Sequence, residues 1–371
     1  MEINYIDNEN QLAAVRKRLS QVEIIGLDTE FHAENRYFPE LMLMQIATTK
    51  DQVWLIDPLA VQIGSLGEQL RNLKLITHGG QEDIRLFQRF FGFAPQYLFD
   101  TQIAAAFLGS HYPMRMSSLT DKILAQAPSK PTTETLTNWS KRPLSDEQKQ
   151  YAAQDATILL ELYQSLEQQL SPQLKQWVWM ASKEMGDRSL QPIPVEETWQ
   201  KWGVANQLDV TSQRILNHLL HWREKTGKAK NKPANYILPR SIALDIARRR
   251  PKKIKELTSN RRINQGLVHR HGTELLDCVY KGLRDKTIFH VPPAEKKHHR
   301  ELIRAWAMCL PFQIHLDVLM PSDLATQIAT RGIGALTGWR KEAYGESLQA
   351  FLNGEIGMFL QKGTPKLTKL T

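Results

Sequence analysis

At 371 residues, with 42% hydrophobic and 8% aromatic side chains, the chain is too long for one ordinary domain and too apolar for a disordered polyelectrolyte, so two or three packed domains are expected. Its formal net charge of +9, from 48 Lys and Arg against 39 Asp and Glu, suits a polyanionic partner without naming one. The two cysteines, Cys278 and Cys309, have no CxxC or Cys/His partner at zinc spacing and exclude a disulfide scaffold. The opening MEINYIDNEN has no basic segment followed by an apolar one, so no signal peptide is expected, and no apolar run approaches the roughly 18 residues of a membrane span. A cytoplasmic protein without a membrane partner is the expectation.

In chain order, INYI and the helical NENQLAAVRKRLS open an alternating pattern. The runs VEIIGLDTEF, LMLMQIATT and QVWLID have the length and composition of neighbouring strands joined by short turns. A short helix around Leu66–Asn72 precedes the strand KLITH, and helices follow at QEDIRLFQRFF, DTQIAAAFLG and SSLTDKILAQ. Strands first and strand–helix units afterwards predict an α/β domain built on a mixed sheet. After Ala127 the prolines and hydroxyl residues of PSKPTTETLTNWSKRP predict a loop. LSDEQKQYAAQDATILLELYQSLEQQL then reads as a long helix, with Ser145 and Gln148 spaced as a capping box and Asp146 and Glu147 in the first turn, where the helix dipole favours acids.

Beyond about Ser171 the strand signal ends. The remainder reads as helical and basic, with WREKTGKAKNKPANYILPR, ARRRPKKIKE and NRRINQGLVHRHG as its conspicuous runs. A boundary is therefore expected between residues 165 and 210, with QPIPVEETW in the connection, and a second helical unit from about residue 290.

The chemistry sits in the acids. In an extended strand Asp28 and Glu30 share a face. Asp83 falls near the start of a helix that follows a strand, and Tyr151 and Asp155 are neighbours at i and i+4. Each alone has an ordinary reading: a strand end meeting solvent, a helix N-terminal acid, an amphipathic face. Together, four carboxylates with no Lys or Arg between them are costly unless divalent cations neutralise them. Oxygen-only ligands select Mg²⁺ or Mn²⁺, and two such ions about 3.5–4 Å apart would stabilise an in-line phosphoryl displacement. Phosphodiester hydrolysis is the chemistry suggested. His78, just before Asp83, fits a packed strand end better than a catalytic role.

Asp28-x-Glu30, HGGQED with Asp83, and Tyr151-x-x-x-Asp155, in that order, resemble the tyrosine-bearing branch of the DEDD superfamily of 3′–5′ exonucleases. DTEF, RYFPELMLMQIA, FDTQIAAAFLG and WSKRPLSDEQKQYAAQDATILLELY are similar to the bacterial ribonuclease D family, the block near 211–285 resembles an HRDC domain, and LTGWRKEAYGESLQAFLNGE resembles a divergent second one. The resemblance implies a ribonuclease-H-like mixed-sheet exonuclease domain over 1–170, a helical connection over 171–209, and two all-helical HRDC-type domains over 210–288 and 289–371. It implies that Asp28 bridges two metal ions, that Glu30 and Asp155 hold the one that activates water, and that Asp83 supports the second. Tyr151 would position the attacking water. RNA contacts are expected from Phe31, His32, Trp139, Lys141 and Arg142 near the catalytic residues, and from Lys228, Lys230, Arg249, Arg250 and Lys252 in the basic half. The implied substrates are the 3′ ends of tRNA precursors and other small structured RNAs, handled by a monomer. A DNA-directed exonuclease of the same superfamily and a non-catalytic RNA-binding protein are the alternatives, the second disfavoured because all four acids and the tyrosine are present.

Overall fold

The computed structural model describes residues 1–124, 137–200, 202–203, 207–259, 261–289 and 294–370. They form two compact units: Met1–Phe31, Leu41–Gln191 and Pro293–Thr371 make the first, His32–Glu40 and Pro192–Pro292 the second. Of the loop predicted after Ala127, residues 128–136 lie outside the described residues.

The first unit is organised by six strands, β1 (Glu2–Ile6), β2 (Ile24–His32), β3 (Glu40–Thr49), β4 (Gln52–Ile56), β5 (Lys74–Thr77) and β6 (Tyr97–Asp100). They lie in the order β1-β4-β3-β2-β5-β6. β3 and β4 are antiparallel, whereas β1 with β4, β2 with β5 and β5 with β6 are parallel, so the sheet is mixed, as the element order predicts. Around it run α1 (Glu9–Leu19), α2 (Gly67–Leu70), α3 (Gln81–Phe91), α4 (Thr101–Phe107), α5 (Met116–Leu124), α6 (Asp146–Gln169) and α7 (Pro172–Leu190).

Both faces of the sheet are covered. Ile25, Leu27 and Leu75 meet Leu12 and Val15 of α1 and Phe87 of α3 in one core. Met42, Leu43 and Phe99 meet Ala153, Ala156 and Leu159 of α6 in the other. Because Ile25 and Leu27 belong to the first core, the alternation of β2 turns Gly26, Asp28 and Glu30 toward α6. Gly26 makes the approach close: a Cβ there would stand 2.5 Å from the Ala156 carbonyl oxygen. The N-terminus of α6 carries both halves of the predicted capping box, Ser145 with Gln148.

The second unit contains α8 (Val195–Gln200), α9 (Val210–Lys230), α10 (Ala234–Ile237), α11 (Arg240–Arg249), α12 (Ile254–Thr258) and α13 (Gln265–Arg284). Its core is Leu216 and Leu219 of α9 against Leu275 and Val279 of α13. Gly282 lets these two helices touch, since a Cβ would lie 2.5 Å from Ile215 Cα. Asp209 and Asn264 cap α9 and α13 by accepting from the amides of Ser212 and Gly266 at 3.0 and 2.7 Å. The segment His32–Glu40 belongs to this unit: the Tyr37 hydroxyl donates to Glu224 at 3.0 Å and the Phe38 amide to Asn231 Oδ1 at 2.9 Å.

The C-terminal segment returns to the first unit as α14 (Ala294–Ala307), α15 (Leu316–Leu319), α16 (Ser322–Arg331) and α17 (Gly338–Leu352). Trp339 of α17 packs on Phe107 and Trp177, with ring centroids 4.9 and 5.8 Å apart. Strands β7 (Ile356–Gln361) and β8 (Thr364–Lys369) then form an antiparallel hairpin, an element the purely helical reading of this region did not contain. Its glycines and Pro365 dilute the strand signal, while Lys362 and Gly363, both at positive φ (50° and 79°), supply the two-residue turn that pairs it. Among the described residues, no helix is long and apolar enough to cross a membrane.

Candidate active site

Strand β2 brings Asp28 and Glu30 to the α6 face, and α6 brings Asp155 to meet them. One carboxylate oxygen from each of the three lies within 4.8 Å of the other two, all on half-buried side chains. One turn earlier on the same helix face, Tyr151 hydrogen-bonds Asp155.

Asp83 enters from the first turn of α3. Thr29, whose side chain leaves β2 on the face opposite to Asp28 and Glu30, donates its hydroxyl to Asp83. That turn is itself pinned from β6, where the buried Asp100 accepts from the Gly80 amide at 3.0 Å and the Thr77 hydroxyl at 3.2 Å. Gly79 takes φ +61° in the connection, a conformation that suits glycine.

The electrostatics are those of crowded, poorly hydrated acids. Burial first, and then the charges of Asp83, Asp155 and Glu30, push the Asp28 carboxyl well above the ordinary range. Burial and the neighbouring charges of Asp155 and Asp83 raise Glu30 to about 8. Burial lifts Asp155 to about 6 against the pull of the Tyr151 hydrogen bond, and lifts Asp83 to about 6 against that of Thr29. The leading causes of these shifts are burial, neighbouring carboxylates and hydrogen bonds, with no Lys or Arg among them. Carboxylate oxygens crowded in a poorly hydrated site are the donor set that suits a hard divalent ion.

Other expected contact residues are placed differently. All five Arg142 donors are spent inside the protein: Nε and Nη2 on Asp57 at 2.5 and 2.8 Å, Nη2 also on the Met42 carbonyl at 2.7 Å, and Nη1 on the Trp139 and Lys141 carbonyls at 2.7 and 2.9 Å. Expected to grip RNA, Arg142 instead clamps the loop before α6 to the end of β4. Trp139, 3% exposed, anchors that loop, with its ring centroid 6.2 Å from that of Tyr151. Lys141 is exposed. Phe31 packs partly into the core on the α1 side, and His32 keeps a buried Nε2 without a hydrogen bond among the described residues.

In the second unit Lys228 stands 5.8 Å above the Tyr37 ring, Lys230 lies 2.9 Å from His271 Nε2, and Lys252 is exposed. Arg249 and Arg250 pair with Asp245 and Asp209 at 3.8 and 2.5 Å. His78 is committed to the fold, its ring nitrogens 2.9 Å from the Thr101 hydroxyl and the Met114 carbonyl. The positioning roles of Gly26, Thr29 and Asp100 escaped the sequence reading; the glycine inside a strand, two residues before the acids, was the available signal.

The fold and this acidic centre define the class, a 3′–5′ exonuclease: the family so described matches residues 3–171, and the HRDC domain family matches residues 212–279. Ribonuclease D of Desulfotalea psychrophila is 30% identical over 299 residues, 79% of each chain. That of Gluconacetobacter diazotrophicus is 31% identical over 382 residues, 95% of this chain and 93% of the other. The crystal structure of Escherichia coli RNase D, described as an exoribonuclease involved in structured RNA processing, shares the fold with a TM-score of 0.84 at 24% identity, covering 95% of this chain and 99% of that one. The chain belongs to the ribonuclease D family, the 3′–5′ exoribonucleases of the DEDD superfamily, a superfamily dependent on divalent metal.

Proposed function

We propose that the chain removes nucleotides one at a time from the 3′ ends of RNA, with Asp28, Glu30, Asp83, Tyr151 and Asp155 as its catalytic residues. The observation that carries this reading is the convergence of Asp28, Glu30 and Asp155 within 4.8 Å, with Tyr151 beside Asp155. Asp28, Glu30 and Asp155 would hold one divalent ion, Mg²⁺ or Mn²⁺, and Asp28 with Asp83 a second. When bound, such ions lower the pKa of the attacking water and neutralise charge on the leaving oxygen.

The protein's own residues do the positioning. Tyr151, hydrogen-bonded to Asp155, orients the attacking water and is not an unaided base. The water attacks the terminal phosphodiester phosphorus, the bond to the 3′ oxygen breaks, a 5′-mononucleotide leaves, and the shortened RNA keeps a 3′ hydroxyl. Thr29 and the Asp100-pinned turn hold Asp83; the close contact at Gly26 holds Asp155.

The same reading keeps an exonuclease domain over 1–170, a connection over 171–209 and HRDC-type domains over 210–288 and 289–371. It gives the basic second unit phosphate contacts through Lys228, Lys230 and Lys252, a cytoplasmic monomer, and tRNA precursors or other small structured RNAs as substrates. The test is a denaturing-gel time course on 5′-labelled RNA, and on DNA of equal length, with Mg²⁺, Mn²⁺ or chelator, beside an Asp155→Ala protein. Stepwise shortening of RNA from the 3′ end, lost with chelator and in the variant, is expected. Preferential shortening of DNA would make it a DNA exonuclease, and intact RNA bound by folded protein would make it a non-catalytic binder.

A further inference from the structure

The hydroxyl of Tyr151 bonds Asp155, and its ring lies against Trp139, with centroids 6.2 Å apart and planes inclined by 39°, inside the about 4.5–7 Å over which aromatic rings attract one another. The ring contact carries weight because the hydroxyl is the far end of a lever. A helix leaves a tyrosine two of the three staggered χ1 states, so a rotation at Cβ swings the oxygen away from the acids. Tyr151 is only half-buried, and its solvent side offers no wall against that rotation. On its buried side stands the indole of Trp139.

Trp139 is held by a frame that does not need its own side chain. Arg142 Nη1 donates to its carbonyl at 2.7 Å, and the same guanidinium is bound to Asp57 and to the Met42 carbonyl, which ties the loop to β3 and to the end of β4. Asn138 Oδ1 accepts from the amide and the hydroxyl of Ser140 at 2.9 and 2.6 Å and closes the turn around the tryptophan. The indole is 3% exposed, yet its Nε1 is buried without a hydrogen-bond partner among the described residues. An unpaired buried N–H costs stability, so hydrogen bonding does not account for a tryptophan at this position. Its ring area, part of it packed into the α6-side core and part of it facing Tyr151, does.

We propose that Trp139 is a positioning residue for RNA cleavage, the wall that keeps the Tyr151 ring in the rotamer placing its hydroxyl at Asp155. It acts through Tyr151 and not through the RNA, and the inference rests on the water-orienting role given to Tyr151. This role has a signature that packing in general does not share: turnover falls while RNA binding holds, and the fall requires the Tyr151 hydroxyl. An aromatic ring at residue 139 meets the need, and an aliphatic chain does not. The Arg142 clamp thereby serves the chemistry as well as the fold, since it fixes the carbonyl of the residue on which Tyr151 leans.

The test is a double-mutant cycle in the full-length chain, with kcat, KM and RNA Kd measured on 5′-labelled RNA well below the melting temperature of each variant. Trp139→Leu is expected to lower kcat about tenfold with KM and Kd unchanged, and Trp139→Phe to bring kcat back to within about twofold of the wild type. In a Tyr151→Phe background, which keeps the ring but has no hydroxyl to place, Trp139→Leu is expected to lower kcat no further. Should the leucine variant not fold, Trp139→Met, a longer and more adaptable side chain, takes its place in the cycle. A full additional loss in the Tyr151→Phe background, an unchanged kcat in Trp139→Leu, or a loss that falls on KM and Kd would each overturn the positioning role. A wild-type chain that does not shorten RNA from the 3′ end defeats the exonuclease reading itself, whereas shortening that suffers in Tyr151→Phe but not in Trp139→Leu defeats only the wall.

Discussion

Gly26→Ala tests the link between packing and chemistry most directly. The added Cβ would sit 2.5 Å from the Ala156 carbonyl oxygen and 3.3 Å from Leu159 Cβ. Contacts under 3.0 Å are essentially never seen, so α6 must back away by at least about 0.5 Å. Ala156 is backbone in the middle of a 24-residue helix and cannot yield alone. Overpacking of this kind costs about 1–3 kcal/mol. The retreat falls next to Asp155, and a misplacement approaching 1 Å costs about 10²-fold in rate, which is about 2.7 kcal/mol. Single-turnover cleavage of 5′-labelled RNA and a thermal melt on the same protein read the two effects. Gly64→Ala, whose Cβ meets nothing nearer than 3.9 Å, is the matched control. A wild-type rate together with a lowered melting temperature would refute the claim that this contact sets the position of Asp155. Wild-type values for both would refute the close approach itself.

Tyr151→Phe is expected to lower kcat by about 10² or more while RNA affinity holds, and an unchanged kcat sinks its water-positioning role. Arg142→Ala leaves Asp57, its side chain 4% exposed, without its cation and should cost about 3 kcal/mol in urea unfolding; a surface-like loss below about 0.5 kcal/mol would show that the clamp is not structural. Burial pushes the Asp57 carboxyl up, but hydrogen bonds from Arg142 and Tyr5 outweigh it and hold the group below the ordinary range. Its contribution is therefore present above the unfolded value near 4 and lost as pH falls through the folded one, so the alanine variant should show a flatter acid limb. At the acidic cluster the sign reverses. With Glu30 raised to about 8, the metal-free protein has the group's stabilisation below the unfolded value near 4.5 and loses it as pH rises toward 8. Mg²⁺ should thus raise the melting temperature more at pH 8 than at pH 6, and an equal shift at both would refute proton competition.

Local pattern was enough for much of this protein. Five of the sheet's six strands, the capping box on α6 and the candidate acids were legible because alternation, helical spacing and cap chemistry act over a few residues, whereas the four-residue β6 (Tyr97–Asp100) is too short to show a period. Asp28 with Glu30, and Tyr151 with Asp155, needed only the periods of a strand and a helix. What tertiary structure alone decided is which of them meet. Asp155 reaches Asp28 because Gly26 has no side chain to keep α6 off β2, and Asp83 is held by Thr29, which points away from the two acids beside it in sequence. Arg142 looked like an RNA contact because local sequence shows a basic residue on a loop; its partner Asp57 is 85 residues away, and only folding brings the two together. The hairpin at the C-terminus was hidden for a related reason, since its pairing depends on two turn residues at positive φ and on a partner strand, neither of which registers in the propensity of a single segment.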